Sequence, residues 1–357
     1  MSEYEKQELL GFAQEILEEK VAAWDLPAFR ARQIYKWIYQ KDISSFYDMS
    51  DLPKALRESL DQKAKISIPR VMKQKISEDG TRKFLFELSD KKKIETVLIP
   101  QSKDKKPKHT LCISSQVGCP VACTFCATGA SGFFRNLETY EIVGQVLGSR
   151  REVNRRLKAG EEDRLITNIV FMGMGEPFLN YSNVIEAVHI LNDHRGIDIG
   201  QRHITISTAG EISGIERLTR ENLQITLAVS LHASNDRLRS QLIPLNRKYP
   251  LADLCKALEY YTETTGRRVT FEYMMLDDLN VSQSDAEDLV KIVQPLLANV
   301  NLIPYNKIEG SPFNRPGREK IMRFYHFLQK KGISVTLREE RGADIDAACG
   351  QLAVRGI

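Results

Sequence analysis

Cys119-Pro-Val-Ala-Cys123-Thr-Phe-Cys126 puts three thiols into one C-x3-C-x2-C run. Thiolates this close can ligate one metal centre without help from the rest of the fold. Ferredoxin-type clusters take four cysteines. A three-cysteine run can hold a four-iron cluster through three irons and leave the fourth open, a site for chemistry rather than electron storage alone. A structural zinc site is the alternative, but it usually shows two separated pairs of ligands, and no second pair follows.

Around that run stands a chain of 357 residues, enough for one large domain with an accessory piece. Hydrophobic content of 42% and charged content of 27% are those of a soluble globular protein. The polar, acidic start Met1-Ser-Glu-Tyr-Glu-Lys6 is unlike a signal peptide, and no apolar run approaches a membrane span. Four of the six cysteines lie between Cys112 and Cys126. That clustering argues against a secreted disulfide framework and for a reducing, cytoplasmic setting. Nothing requires more than a monomer.

Upstream, residues 5–60 read as small helices, with Leu9, Phe12, Ile16 and Leu17, then Ile34, Trp37 and Ile38, at helical spacing. Arg30, Arg32 and Lys36 there are either a solvated face or an RNA backbone contact. From Arg70 to Leu88 the pattern is a β-hairpin turning at Asp79-Gly80, and Ile94–Ile99 adds a third strand. Between Lys63 and Lys108 there are fourteen Lys or Arg against six Asp or Glu. Such a stripe can neutralise phosphates and release counterions. The runs Lys91-Lys92-Lys93 and 103–108 are its densest parts, and could equally be solvated loops. Glu95 is an acid in an otherwise apolar strand.

From residue 110 strands and helices alternate. Strands are expected at Leu111–Gln116, Ile166–Met172, His203–Ser207, Ile225–Leu231, Val269–Met275, Val300–Tyr305 and Ile333–Leu337. Helices are expected between them, the first over Glu138–Leu157. Repeated β-α units imply a parallel sheet, so the expected fold class is α/β: a partial (β/α)6-type TIM barrel with a small N-terminal α+β accessory domain. A flat doubly wound sheet is second. The chemically odd residues fall at strand ends: the three cysteines, Gly173-Met-Gly175-Glu176-Pro177, Ser207, Ser230-Leu231-His232 and Asn306. In a barrel these positions share one mouth. The two glycines are expected to let the backbone approach a ligand, and Glu176 to accept from an amine or hydroxyl.

The terminal stretch Gly342-Ala-Asp344-Ile-Asp346-Ala-Ala-Cys349-Gly350 has no hydrophobic periodicity. It suits a segment that folds over the barrel mouth, bringing Cys349 to the cluster region. Cys112 points the same way. Two spare thiols there suggest covalent chemistry and a disulfide formed in turnover, whereas Cys255 on its apolar helix reads as a small buried hydrophobe.

The cysteine spacing is that of the radical S-adenosylmethionine (SAM) superfamily. Together with Ser114-Ser-Gln-Val-Gly-Cys119, Gly132-Phe-Phe-Arg-Asn-Leu137, Gly173–Pro177, Ser230–His232 and Asp344–Gly350, it makes the chain resemble the RlmN/Cfr family of radical SAM RNA methylases over essentially its whole length. Pro177 after Glu176 resembles the RlmN branch, which methylates adenine C2; the alternative is C8 methylation, as in the Cfr branch. The resemblance implies a 4Fe-4S cluster on Cys119, Cys123 and Cys126 with an exchangeable SAM at the open iron. It implies SAM contacts from Gly175, Glu176, Ser207, Ser230, Leu231, His232 and Asn306. One SAM would methylate Cys349, and a second would yield the 5′-deoxyadenosyl radical, two SAM per turnover. Glu95 would take the C2 proton, and Cys112 would attack Cys349 to free the product. Implied partners are 23S rRNA, tRNA at the base beside the anticodon, and an external, flavodoxin-like electron donor. The implied division is an RNA-binding accessory domain over 1–104, a radical SAM core over 105–338 and a terminal segment over 339–357 carrying the methyl-carrier cysteine. A non-catalytic iron–sulfur or zinc RNA-binding protein is the reading from another class.

Overall fold

The computed structural model describes residues 6–101, 108–155 and 166–354. Of the basic run at 103–108, only Lys108 is among them. Among the described residues, the strands His109–Cys112, Ile166–Phe171, Ile204–Thr208, Thr226–Ser230, Val269–Met275, Ala298–Pro304 and Val335–Leu337 lie side by side in chain order, all parallel. They are apolar on both faces, as in Val269–Met275, where every residue but Thr270 is buried. Helices Thr139–Asn154, Tyr181–Asn192, Ile212–Arg220, Leu251–Thr265, Gln283–Val293 and Arg318–Lys330 make the crossovers. The strand order never reverses, so there is no switch point of the kind that defines a doubly wound sheet. The architecture is the open, singly wound partial barrel.

The basic hairpin is a continuation of that sheet. Lys93–Pro100 pairs antiparallel with His109–Cys112, with Val97 opposite Cys112, and Arg82–Glu87 and Arg70–Ile76 follow outward. Strands expected in a separate accessory piece thus share one ten-stranded sheet with the barrel. The helical N-terminal part, Gln14–Ala22, Ala28–Tyr39 and Lys54–Lys63, packs against the barrel's outer helices. Tyr35 donates to Asp193 at 3.0 Å, and Arg150 clamps Asp42. Leu9 and Phe12 precede the first helix, and Ile16 is exposed. The helical spacing had been read across Gly11, whose positive φ turns the chain before the helix starts. Arg30 and Arg32 are engaged locally, with Gln33 and Glu18.

The first barrel strand ends at Cys112, short of the expected Gln116. Beyond it the Ser115 and Gln116 amides turn to the Met174 carbonyl, and Gln116–Gly118 pairs with Phe133–Asn136 as a separate antiparallel ladder. Gly118 has φ +76°, and a Cβ there would lie 1.9 Å from the Gly132 carbonyl oxygen. Gly118→Ala is therefore expected to destabilise by more than about 2 kcal/mol, from backbone strain plus a clash with main chain. Because Cys119 follows directly, thermal melting and iron retention should fall together. A variant with wild-type melting would show that the ladder shifts freely. Sequence reading also missed the short helix Asp236–Leu242, capped by Asn235, which accepts from the Leu238 amide.

Candidate active site

The cysteine loop follows the first strand and is walled by a local apolar cluster that includes Val121, Phe125, Met274, Leu276 and Tyr305. Cys119, Cys123 and Cys126 line one cavity at the barrel mouth with Gly175, Glu176, Ser207, Ser230, His232 and Cys349. Burial pushes the Cys119 thiol up to about 12 and the Cys123 thiol well above its ordinary value. Thiolates so placed need a positive partner. The run supplies three thiolates, one short of the four ligands of a closed structural zinc site. A zinc ion would draw its ligands to about 2.3 Å of one point, whereas a four-iron cluster takes each thiolate on a different iron. The donor set fits the cluster.

The Gly173–Pro177 turn is held by the Ser114-Ser115-Gln116 stretch. Ser114 Oγ accepts from the Met174 amide and donates to the Glu95 carbonyl, and Gln116 Oε1 accepts from the Glu176 amide. Gly175 lines the cavity at φ +105°, but a Cβ there would meet Gln116 and Ser115 at 2.7 Å. Glycine is required here by the approach to the protein's own Ser115 and Gln116, and the same residue lines the cavity. Glu176 is buried and accepts from the Ala209 and Phe178 amides at 2.7 and 3.1 Å. Burial, opposed by those amides, brings its carboxyl up to about 7, so a cationic amine at this rim would favour its ionised form.

His232 is buried with φ +56°, and its Nδ1 accepts from the Met274 amide at 3.0 Å. Burial lowers its pKa to about 3, leaving a neutral imidazole whose proton sits on Nε2. The Leu231 side chain is in the hydrophobic core and outside the cavity lining; its amide donates to the Glu272 carbonyl. Asn306 stands on an adjoining cavity that also contains Cys112 and Cys349, and its Nδ2 donates to the Cys349 carbonyl at 3.5 Å. Its buried Oδ1 is unpartnered. Both thiols are free, so the disulfide expected in turnover is not formed. Burial, then the neighbouring Cys349 sulfur, pushes Cys112 up to about 12.

Glu95 is buried rather than facing outward, and lines a third, neighbouring cleft. Its carboxylate is held by Lys83 Nζ at 3.0 Å and by the Ala353 amide at 3.0 Å. Burial raises its pKa, and Lys83 opposes the rise. The terminal segment lies across the mouth. Asp344 accepts from Ser77 and the Glu78 amide, Asp79 accepts from the Gly342 amide, and Lys83 donates to the Asp346 carbonyl. The Gly350 carbonyl accepts from Ala127, directly after the cysteine run. Cys255 is half-buried on its helix.

Two residues here escaped sequence reading. Arg239 is fully buried and donates to the Leu231, Ala209 and Ser230 carbonyls, fixing two strand ends. Arg338 lines both cavities beside Cys349. The Cys349 sulfur, against the cost of burial and with help from Glu272 and Cys112, holds its guanidinium charged.

A three-cysteine loop after the first strand of a singly wound parallel barrel, with Glu176 and strand-end hydroxyls around it, defines a radical SAM enzyme. Residues 113–291 match the radical SAM superfamily, and residues 7–66 match the ribosomal RNA large subunit methyltransferase N-terminal domain. The chain is 61% identical to the probable dual-specificity RNA methyltransferase RlmN of Syntrophomonas wolfei, over 99% of this chain and 98% of that one. It is 44% identical to the dual-specificity RNA methyltransferase RlmN of Alcanivorax borkumensis, over 99% and 91%. A radical SAM methyltransferase crystal structure from Sphaerobacter thermophilus superposes with a TM-score of 0.91 at 46% identity, covering 97% of this chain and 99% of that one. The chain belongs to the RlmN family of radical SAM methyltransferases. As such it works with a 4Fe-4S cluster and SAM. Among the described residues no helix is long and apolar enough to cross a membrane.

Proposed function

We propose that the protein methylates C2 of adenine in 23S rRNA and in tRNA at the base beside the anticodon, with Cys349 as methyl carrier. The observation that carries this reading is the placement of Cys349 in the same cavity as the three-cysteine run, with Cys112 on the adjoining one. Adenine C2 is an electron-poor ring carbon, so displacement on SAM alone does not methylate it. The relatives named above as dual-specificity RNA methyltransferases support the substrate class.

Cys119, Cys123 and Cys126 would hold the cluster, and Gly175, Glu176, Ser207, Ser230 and His232 line the cavity for SAM, with Asn306 on the adjoining one. When bound, cluster and SAM supply a one-electron cleavage that yields a 5′-deoxyadenosyl radical. Two SAM are used per turnover, one of them to methylate the Cys349 thiolate. Asn306 and Ala127 hold the carbonyls of Cys349 and Gly350, next to that sulfur. After the methyl carbon on Cys349 has bonded to C2, Glu95 takes the C2 proton, and the adduct's one unpaired electron would pass to the bound cluster. Cys112 then attacks the Cys349 sulfur: the S–S bond forms as the bond from sulfur to the transferred carbon breaks, and the electron pair stays with the product carbon, which is protonated. An external flavodoxin-like donor supplies electrons and restores the thiols, and the enzyme acts as a monomer.

The test is anaerobic reconstitution with iron and sulfide, then reaction with methyl-labelled SAM, reductant and an rRNA fragment. Label in 2-methyladenine supports the reading. Label at C8 moves the protein to the other branch, and SAM cleavage with no methylated RNA overturns the substrate.

A further inference from the structure

The strands Arg70–Ile76, Arg82–Glu87 and Lys93–Pro100 bring lysines together on one face. Lys75 stands opposite Lys83, and Lys73 opposite Leu85, which is opposite Glu95. Side chains alternate along a strand, so Lys73, Lys75, Lys83, Lys93 and Glu95 share that face. All five line a cleft of about 500 Å³, and Lys307, from the loop after Ala298–Pro304, lines it too. Like charges directly opposite one another are destabilising, and the cleft neutralises them only in part. Lys83 pairs with Glu95 at 3.0 Å and Lys75 with Asp346 at 3.9 Å. Lys73, Lys93 and Lys307 make no ion pair with a described residue. The five lysines outnumber the three carboxylates present, Glu95, Glu309 and Asp346.

The terminal segment that carries Cys349 adds Asp346, Gln351, Ala353 and Val354 to the lining, and the Ala353 amide donates to Glu95. From this placement we propose that the cleft binds the phosphodiester backbone of the single-stranded RNA flanking the target base. The proposal rests on the RNA-methylating function above and adds where the strand runs. The volume is that of an ordinary ligand site and admits about one nucleotide. Flexible ammonium groups suit phosphate oxygens as point charges. A strand lying here presents its neighbouring base to Glu95 and the Cys349 segment. The basic stretch is not uniform in this respect. Lys91 pairs with Glu87, Lys92 sits over the Phe134 ring, and neither lines the cleft.

The test measures RNA affinity of the reconstituted holoenzyme against KCl concentration. It compares wild type, the triple variant Lys73→Gln, Lys93→Gln, Lys307→Gln, and the pair Lys91→Gln, Lys92→Gln. Each lost phosphate contact on a single strand removes about 0.7 from the salt slope. The triple variant should lose about 2 in slope and roughly tenfold or more in affinity, with RNA-independent SAM cleavage unchanged. The corresponding Lys→Arg triple should keep the wild-type slope, which separates charge from folding. An unchanged slope in the Gln triple, or an equal loss in the Lys91/Lys92 pair, would overturn the cleft assignment. Failure of wild type to methylate adenine would instead overturn the function it rests on.

Discussion

Cys349→Ala abolishes methyl transfer to RNA while the protein keeps its fold and its iron. The loss should reach the order of 10⁴-fold or more, as for deletion of other covalent nucleophiles. The main-chain contacts holding this stretch are the Cys349 carbonyl to Asn306 and the Gly350 carbonyl to Ala127, and what the substitution removes is the sulfur beside Arg338. Alanine keeps the main-chain contacts, and Cys349 is only half-buried, so a stability change of about 1 kcal/mol is expected. Cluster absorbance and thermal melting should match wild type. The discriminating measurement is label from methyl-SAM on the tryptic peptide 342–355. Wild type carries it, and the variant cannot. Methylated RNA from the variant would show that the methyl group reaches adenine by another route, and Cys349 would revert to a structural thiol.

The parts of this site legible in the sequence are local ones. The cysteine run declares itself by spacing, and strand ends declare themselves by the break in apolar patterning, which places Glu176, Ser207 and Ser230 on one rim before any coordinates. What was hidden depends on partners far apart in the chain. Lys83 looks like one more cation in a basic hairpin, yet its ammonium group bonds the Asp346 carbonyl, 263 residues away. Arg338 follows the short edge strand Val335–Leu337 and shows no periodic signal; only the fold sets it beside Cys349. Gly175 lines the cavity, as its motif suggests, but sequence does not show that Ser115 and Gln116 fill the space a side chain would need. Likewise, alternation identifies Arg70–Glu87 as a hairpin but does not say which sheet it joins. The pairing of Lys93–Pro100 with the first barrel strand is what carries Glu95 to the mouth.

Replacing Lys83 by Met should reveal Glu95 as a base through two pH effects of opposite direction. Both side chains are about nine-tenths buried and 3.0 Å apart. Burial already raises the Glu95 pKa, and Lys83 is the strongest force opposing the rise. Without Lys83 that pKa climbs further. A base works only when deprotonated, so the acid limb of turnover moves to higher pH, and the activity deficit is greatest in acid and shrinks in alkali. Stability runs the other way. A carboxyl whose folded pKa exceeds its unfolded one binds more protons in the native state, so its stability contribution falls as pH rises through the folded pKa. In the variant an unpaired carboxylate then stays buried, at a cost of about 3–5 kcal/mol. The melting deficit of Lys83→Met should therefore be small near pH 5 and large near pH 8. A folding defect alone would make activity and melting fail together at high pH. Activity failing at low pH while melting fails at high pH is the signature of a positioned base. Lys83→Arg should restore both, and Glu95→Gln should be inactive at every pH while retaining RNA bound covalently to Cys349. If the acid limb of Lys83→Met does not move, Lys83 merely anchors the terminal segment and another group takes the proton.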